Sequence, residues 1–269
     1  VAPWNYPLQL TLAPAIAAIA AGNRVMIKPS ELAPRFSALL KQAIADTFDS
    51  SDIMVTDIDG NIAEAFAALP FDHLMFTGST RVGRLVAEAA GRNLTPITLE
   101  LGGKSPAIID ASANLDQAAE WIAYGKLLNA GQTCIAPDYV LVARESAENL
   151  AGKVAANMRR MYGTAPDNPD YTAIVSGQHF ARLEALVEDA AAKGGRVIQC
   201  APARDPAWQS RRKFPPTVIL GATPEMKVMQ EEIFGPVLPV VDCAGTREAI
   251  AFINSRDRPL ALYWFGSDD

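Results

Sequence analysis

Hydrophobic positions along the chain follow two spacings that take turns. Short β-rich runs at 25–27, 73–76, 97–101, 107–109, 139–142, 217–220, 237–241 and 260–265 alternate with stretches whose apolar residues recur every three to four positions. Val82, Leu85, Val86, Ala89 and Ala90 form one such helical stripe, and Leu183, Leu186, Val187 and Ala190 form another; both read as core faces. Alternation of this kind predicts an α/β fold with mainly parallel sheets. The most apolar stretch, 10–21, contains Thr11 and Pro14 and falls short of the ~20 residues of a membrane helix, so it reads as a buried helix. Proline-bearing polar stretches at 163–169 and 201–216 read as surface loops. The Gly102-Gly103 pair after the 97–101 run is the expected seam between a first domain, 1–101, and a second, 102–269, because paired glycines let a chain swing between two sheets.

Composition narrows the picture. A chain of 269 residues with 49% hydrophobic residues can fill a sizeable core, as one large domain or two ordinary ones. A formal charge of -6 argues against nucleic acid or an anionic membrane as the main partner, since both are polyanions. The three cysteines, Cys134, Cys200 and Cys243, are far apart and odd in number, which favours reduced thiols over a disulfide framework or a zinc site. His73 and His179 are too scattered for a Cys-His or Ser-His-Asp mechanism. No stretch has the layout of a secretory signal, so a cytoplasmic protein is expected, and no metal is expected. The chain opens at Val1 on Pro-Trp-Asn-Tyr-Pro and reads as a fragment.

Five places carry candidate chemistry. In Phe76-Thr77-Gly78-Ser79-Thr80-Arg81-Val82-Gly83 a strand ends in a small-residue turn before an amphipathic helix. Such a helix start attracts phosphate, with Gly78 allowing close approach; equally, Ser79 or Thr80 is a plain N-cap. Lys28 and Glu31 stand at the carboxyl end of a β-run, where open α/β sheets bind ligands, or else are a solvated lysine and a first-turn helix acid. Cys134, in Gly-Gln-Thr-Cys-Ile-Ala-Pro, is either a nucleophile on a turn or a small buried hydrophobe, and the latter is also the reading of Cys200 and Cys243. Glu100 occupies an otherwise apolar run, where burial would raise its pKa and suit a general base, or where it forms a structural ion pair. Glu232 and Phe234, in Glu-Glu-Ile-Phe-Gly-Pro, either meet a ribose and a flat ring or belong to an ordinary helix-to-strand loop.

Taken in order, Pro-Trp-Asn-Tyr-Pro, Lys-Pro-Ser-Glu, Phe-Thr-Gly-Ser-Thr, Leu-Glu-Leu-Gly-Gly-Lys, Gly-Gln-Thr-Cys and Glu-Glu-Ile-Phe-Gly-Pro make the chain resemble the aldehyde dehydrogenase superfamily. The stretches around 94–100, 126–139, 213–217 and 258–263 are similar to its fatty- and aromatic-aldehyde branch, coniferyl aldehyde dehydrogenases in particular. The resemblance implies a Rossmann-type cofactor-binding part in 1–101 and a catalytic α/β domain, incomplete at its C-terminus, in 102–269. It implies Cys134 as nucleophile, Asn5 and the Cys134 N–H as oxyanion donors, and Glu100 as the base that activates water. For the cofactor it implies Lys28 and Glu31 at the adenosine ribose, Gly78 and Ser79 near the pyrophosphate, Glu232 at the nicotinamide ribose and Phe234 beside the ring. NAD is favoured over NADP because a carboxylate at position 31 repels a 2′-phosphate, although Lys28 next to it weakens that preference. An aldehyde is the expected partner, and a homodimer is expected of the full-length protein. The rival readings are a CoA-acylating dehydrogenase and a non-catalytic remnant.

Overall fold

Parallel strands require a crossover between them, and the first hundred residues supply a helix for each. In the computed structural model, which describes residues 1–58, 62–162, 166–201 and 206–267, the chain divides into two units, Val1–Leu101 and Gly102–Asp269. In the first unit, α1 (Pro7–Ala20) leads to β1 (Val25–Ile27), and α2 (Pro34–Thr47) connects β1 to its parallel partner β2 (Ile53–Val55). After α3 (Ile62–Ala67), β3 (Leu74–Gly78) is joined through α4 (Thr80–Arg92) to its parallel partner β4 (Ile97–Leu101). Backbone bonds of Val1 and Ala2 link the two strand pairs. The Val1 amine donates to Met75 O at 2.7 Å, Thr77 N–H to Val1 O at 3.2 Å, and Ala2 N–H to Lys28 O at 2.9 Å.

The helix expected at 10–21 forms, but it is not a buried one. Only Thr11 and Ala15 of α1 are buried, while Leu8, Ile16 and Ile19 are exposed. The helix is apolar around its circumference, whereas Ile27, Leu40, Ile53 and Val55 cover one side of it. Leu85 of α4 is exposed for a similar reason, so the first stripe is a core face through Val86 and Ala90, not through every member. Among the described residues no helix is long and apolar enough to cross a membrane.

The second unit is built on a six-stranded sheet of order β10-β5-β6-β9-β8-β7. Its strands are β5 (Pro106–Ile109), β6 (Tyr139–Ala143), β7 (Arg196–Gln199), β8 (Thr217–Leu220), β9 (Val237–Cys243) and β10 (Tyr263–Phe265). All neighbours are parallel except β7, which runs antiparallel to β8 at the edge. Consecutive buried positions along β5, β6 and β9 show both faces covered, as parallel sheets require. The cover comes from α5 (Leu115–Leu127), α6 (Arg144–Tyr162), α7 (Gly177–Ala192) and α10 (Thr246–Asn254), which share one apolar core with the strands.

Two short helices, α8 (Pro206–Ser210) and α9 (Lys227–Gln230), complete the unit. The first lies inside the stretch expected to be loop, where Trp208 is drawn into the core; residues 163–165 and 202–205 of the two expected loops lie outside the described residues. The terminal strand begins at Tyr263, not at 260. Strands β2 and β7 have no counterpart in the sequence reading. The first, Ile53-Met54-Val55, is as short and apolar as β1 and is passed over, and the second carries Arg196 and Gln199 at an exposed edge and shows no apolar run.

Candidate active site

Each unit carries part of the constellation singled out from the sequence. In Val1–Leu101, Asn5 stands in the turn ahead of α1, which opens on Pro7. Gly78 closes β3, and Ser79 caps α4 by accepting from Val82 N–H at 3.4 Å. The cap satisfies one of the first-turn donors, and the others keep the positive end of the helix available to an anion. Lys28 follows β1 and is buried, with its ammonium bonded to the half-exposed Glu31 carboxylate. Burial pulls the Glu31 carboxyl upward, but the Lys28 hydrogen bond, its own backbone and the Lys28 charge outweigh this and leave it below the ordinary glutamate range.

Glu100 departs from expectation. It faces solvent on β4, opposite Thr77 in the β3–β4 register. The run alternates with period two: Ile97, Leu99 and Leu101 pack on the Phe76 cluster, and Thr98 and Glu100 point the other way. Burial of Glu100 as a source of basicity is therefore not what the fold provides.

In Gly102–Asp269, Cys134 is presented by an unusual turn. After α5 the chain enters a 3-10 turn, Leu128–Gly131, with Asn129, Ala130 and Gly131 at φ of 51°, 52° and 73°. Left-handed backbone costs on the order of 1 kcal/mol at each non-glycine position, so the surroundings must hold it. Buried Gln132 does so: its amide donates to Asn129 O and Ala173 O, both at 3.1 Å, and its carbonyl accepts from Val175 N–H at 2.9 Å. Beyond the cysteine, Ala136 N–H donates to Thr133 O at 3.0 Å and the Tyr263 hydroxyl donates to Ile135 O. Cys134 is half-buried and in no disulfide, and its thiol is close enough to Tyr263 to help burial raise the tyrosine pKa. By contrast, burial pushes Cys200 up to about 11 and raises Cys243, so both suit the role of inert core thiols.

The loop of Glu232 and Phe234 is pinned from several directions. Buried Asp138 accepts from Ile233 N–H at 2.9 Å and pairs with Lys104, which also donates to Val228 O at 2.6 Å and Glu231 O at 3.0 Å. Arg182 of α7 donates to Glu232 O at 3.1 Å and to Ile233 O, and Arg256 donates to Met229 O at 2.5 Å. The Glu232 carboxylate itself rests over Gly102, where a Cβ would overlap it, and accepts from the Gly103 backbone. Burial raises its pKa to about 7; the Gly103 N–H opposes the rise, Asp138 adds to it, and Lys104 and Lys126 oppose it. Asp138→Ala removes the anion of a buried pair and a backbone anchor together, and is expected to destabilise the protein by about 3–5 kcal/mol in denaturant unfolding, with Asp138→Asn costing less. An unchanged unfolding midpoint would contradict the clamp.

Lys104, Lys126, Gln132 and Asp138 stand within the stretches that carry the family resemblance, but the sequence reading gives none of them a role. Two left a signal there: Asp138 and Lys126 are charges in otherwise apolar runs, Ile-Ala-Pro-Asp-Tyr and Trp-Ile-Ala-Tyr-Gly-Lys-Leu-Leu. Among the described residues, no group of three or more His, Cys, Asp or Glu is placed to hold a metal ion.

Known proteins resemble this chain throughout. It is 51% identical over 270 residues to the probable coniferyl aldehyde dehydrogenase of Caulobacter vibrioides, a match covering 100% of this chain and 56% of that protein. Among solved structures, the substrate-bound state of Staphylococcus aureus AldH is 43% identical with a TM-score of 0.91, covering 100% of this chain and 57% of that one. The Mycobacterium tuberculosis aldehyde dehydrogenase complexed with NAD+ is 29% identical with a TM-score of 0.88, covering 99% and 56%. The chain thus spans little more than half the length of these relatives. With the aldehyde dehydrogenase family pattern matching residues 1–269, and the motif order Asn5, Lys28, Gly78, Glu100, Cys134 and Glu232 running through both units, the chain belongs to the aldehyde dehydrogenase family.

Proposed function

We propose that the protein oxidises an aldehyde to its carboxylic acid with NAD, through a thioester on Cys134. The observation that carries this reading is the clamped turn, in which Gln132 and Tyr263 bond the backbone on either side of the half-buried Cys134. Packing alone does not call for three successive left-handed residues before a cysteine; presentation of a nucleophile does.

The residues present suit the cofactor. Lys28 and Glu31 supply a cation and an ionised carboxylate for ribose hydroxyls, the Ser79-capped start of α4 suits a pyrophosphate behind Gly78, and Glu232 is a carboxylate seated where only a glycine fits beneath it. NAD held by these residues would supply the hydride acceptor. An ionised Glu31 repels a 2′-phosphate, which favours NAD over NADP, while its pairing with Lys28 softens the discrimination.

In the proposed chemistry the Cys134 thiolate adds to the aldehyde carbon, and the Asn5 amide and the Cys134 N–H stabilise the oxyanion. Loss of hydride leaves the thioester. Glu100 then removes a proton from water, the resulting hydroxide adds to the acyl carbon, and the Cys134 thiolate leaves. An aromatic, coniferyl-like aldehyde is the substrate class supported by the 51% identical relative. The competing CoA-acylating reaction would need CoA to take the acyl group. Free acid forming from coniferyl aldehyde and NAD with no CoA present supports hydrolysis, and acyl-CoA as the sole product overturns it.

A glycine tests the cofactor role of Glu232. Gly102→Ala forces the carboxylate off its seat but meets only the end of a flexible side chain. Calorimetric titration is expected to show NAD affinity falling by on the order of tenfold with unfolding changed by under about 1 kcal/mol. Unaltered affinity would remove Glu232 from the cofactor site.

A further inference from the structure

We infer that Arg182 is a positioning residue for the cofactor: its guanidinium fixes the peptide between Ile233 and Phe234, which holds Phe234 in a left-handed conformation and Glu232 in place beside it. The inference rests on the cofactor roles proposed for Glu232 and Phe234.

Phe234 is the strained residue of this loop. It stands at φ 50°, a conformation unfavourable to a bulky side chain because its Cβ crowds the following carbonyl. Its surroundings must therefore hold it. The residue after it is wedged from two sides. A Cβ on Gly235 would overlap the Leu183 side chain of α7, and a Cβ on Gly131, in the turn ahead of Cys134, would overlap the Gly235 carbonyl. The residue before it, Ile233, is fully buried and donates its N–H to Asp138 at 2.9 Å. That bond fixes the peptide ahead of Ile233. It does not stop the next one from turning over, since the Ile233–Phe234 plane rotates about ψ of Ile233 and φ of Phe234.

Arg182 of α7 blocks that rotation. It donates to Ile233 O, the carbonyl of this same peptide, and to Glu232 O at 3.1 Å, the carbonyl of the peptide before it. One planar fork thus sets the orientation of two consecutive peptides, which a compact ammonium on a flexible stem is poorly shaped to do. Leu183, the next residue of α7, abuts Gly235, so a single helix fixes the backbone on both sides of Phe234. The lysine and the other arginine of the clamp act earlier in the loop. Lys104 spends its three donors on Asp138, Val228 O and Glu231 O, and Arg256 reaches Met229 O. An ion pair does not account for the arginine either. Its Nη1 is 3.9 Å from the half-exposed Glu231 carboxylate, and such a pair contributes little.

Arg182→Ala removes the fork from a side chain that is 31% exposed, so free guanidinium can enter from solvent. Hydrogen exchange followed by mass spectrometry without cofactor is expected to speed up across residues 230–236 and to stay unchanged in β8 and β9. Without the fork, ordinary backbone is preferred over left-handed backbone at Phe234 on the order of tenfold, and calorimetry should show NAD affinity lowered by about that factor. Guanidinium below denaturing concentration is expected to restore both readouts, and methylammonium is expected to restore neither. Arg182→Lys should behave like Arg182→Ala, and it carries the test if the alanine variant fails to fold. Unchanged exchange in 230–236, unchanged NAD affinity, or full recovery with lysine or methylammonium overturns the role of Arg182. Faster exchange that guanidinium reverses, in a protein whose parent never binds NAD, counts instead against the function proposed above.

Discussion

Cys134→Ala is expected to reduce NAD-dependent aldehyde oxidation on the order of 10⁴-fold or more, and to abolish hydrolysis of an activated ester such as p-nitrophenyl acetate in parallel. In the proposed mechanism both reactions pass through an acyl group on the same sulfur, so a variant that loses one and keeps the other would contradict the thioester route. Alanine at a half-buried turn position removes little packing, and Gln132 and Tyr263 hold the turn through groups the substitution leaves untouched. Unfolding is therefore expected to change by less than about 1 kcal/mol. NAD affinity should persist, because Glu232 and its clamp are independent of the thiol. Retained turnover would mean that neither Cys134 nor the proposed mechanism is correct, since Cys200 and Cys243 are buried thiols whose pKa values burial raises.

Glu100→Gln is expected to separate the two halves of the reaction. Hydride transfer needs no base at position 100, so the first turnover should still yield about one equivalent of NADH per site, while steady-state turnover falls by about 10²–10⁴-fold. Intact mass spectrometry after mixing with aldehyde and NAD should show the acyl adduct, and peptide mapping should place it on Cys134. Glu100 is exposed and the exchange is isosteric, so a folding defect is not an alternative explanation. A variant with undiminished turnover would show that another group activates the water.

Much of the fold was legible in the residue pattern, and the failures have specific causes. Eight apolar runs marked eight strands, because a strand buried on both faces must be apolar at consecutive positions, as in β5, β6 and β9. Strand β7 is invisible because Arg196 and Gln199 sit on an edge with no such demand; β2, three apolar residues like β1, carries no local feature that separates it from its neighbours. The helix at α1 was recognised and its burial misjudged, since apolar composition records what a helix tolerates, not how many neighbours reach it. Glu100 was misjudged in the same way: Ile97, Leu99 and Leu101 made the run look buried, while the pleat turned the intervening residues outward.

What the sequence determined by itself is the chemistry available and its local framing: a thiol on a turn ahead of a strand, a carboxylate and an aromatic before a Gly-Pro turn, a glycine and a cap at a helix start. These depend on residues within a few positions of one another, so spacing and backbone preference suffice to read them. Tertiary structure alone decided how those groups are held and charged. Lys104, Asp138 and the Glu232 loop come from three separated segments, and their contacts depend on distance and desolvation, neither of which is encoded in proximity along the chain. For the same reason no local pattern marks the three left-handed residues before Cys134, which are held by Gln132 bridging to Ala173 and Val175, some forty residues away.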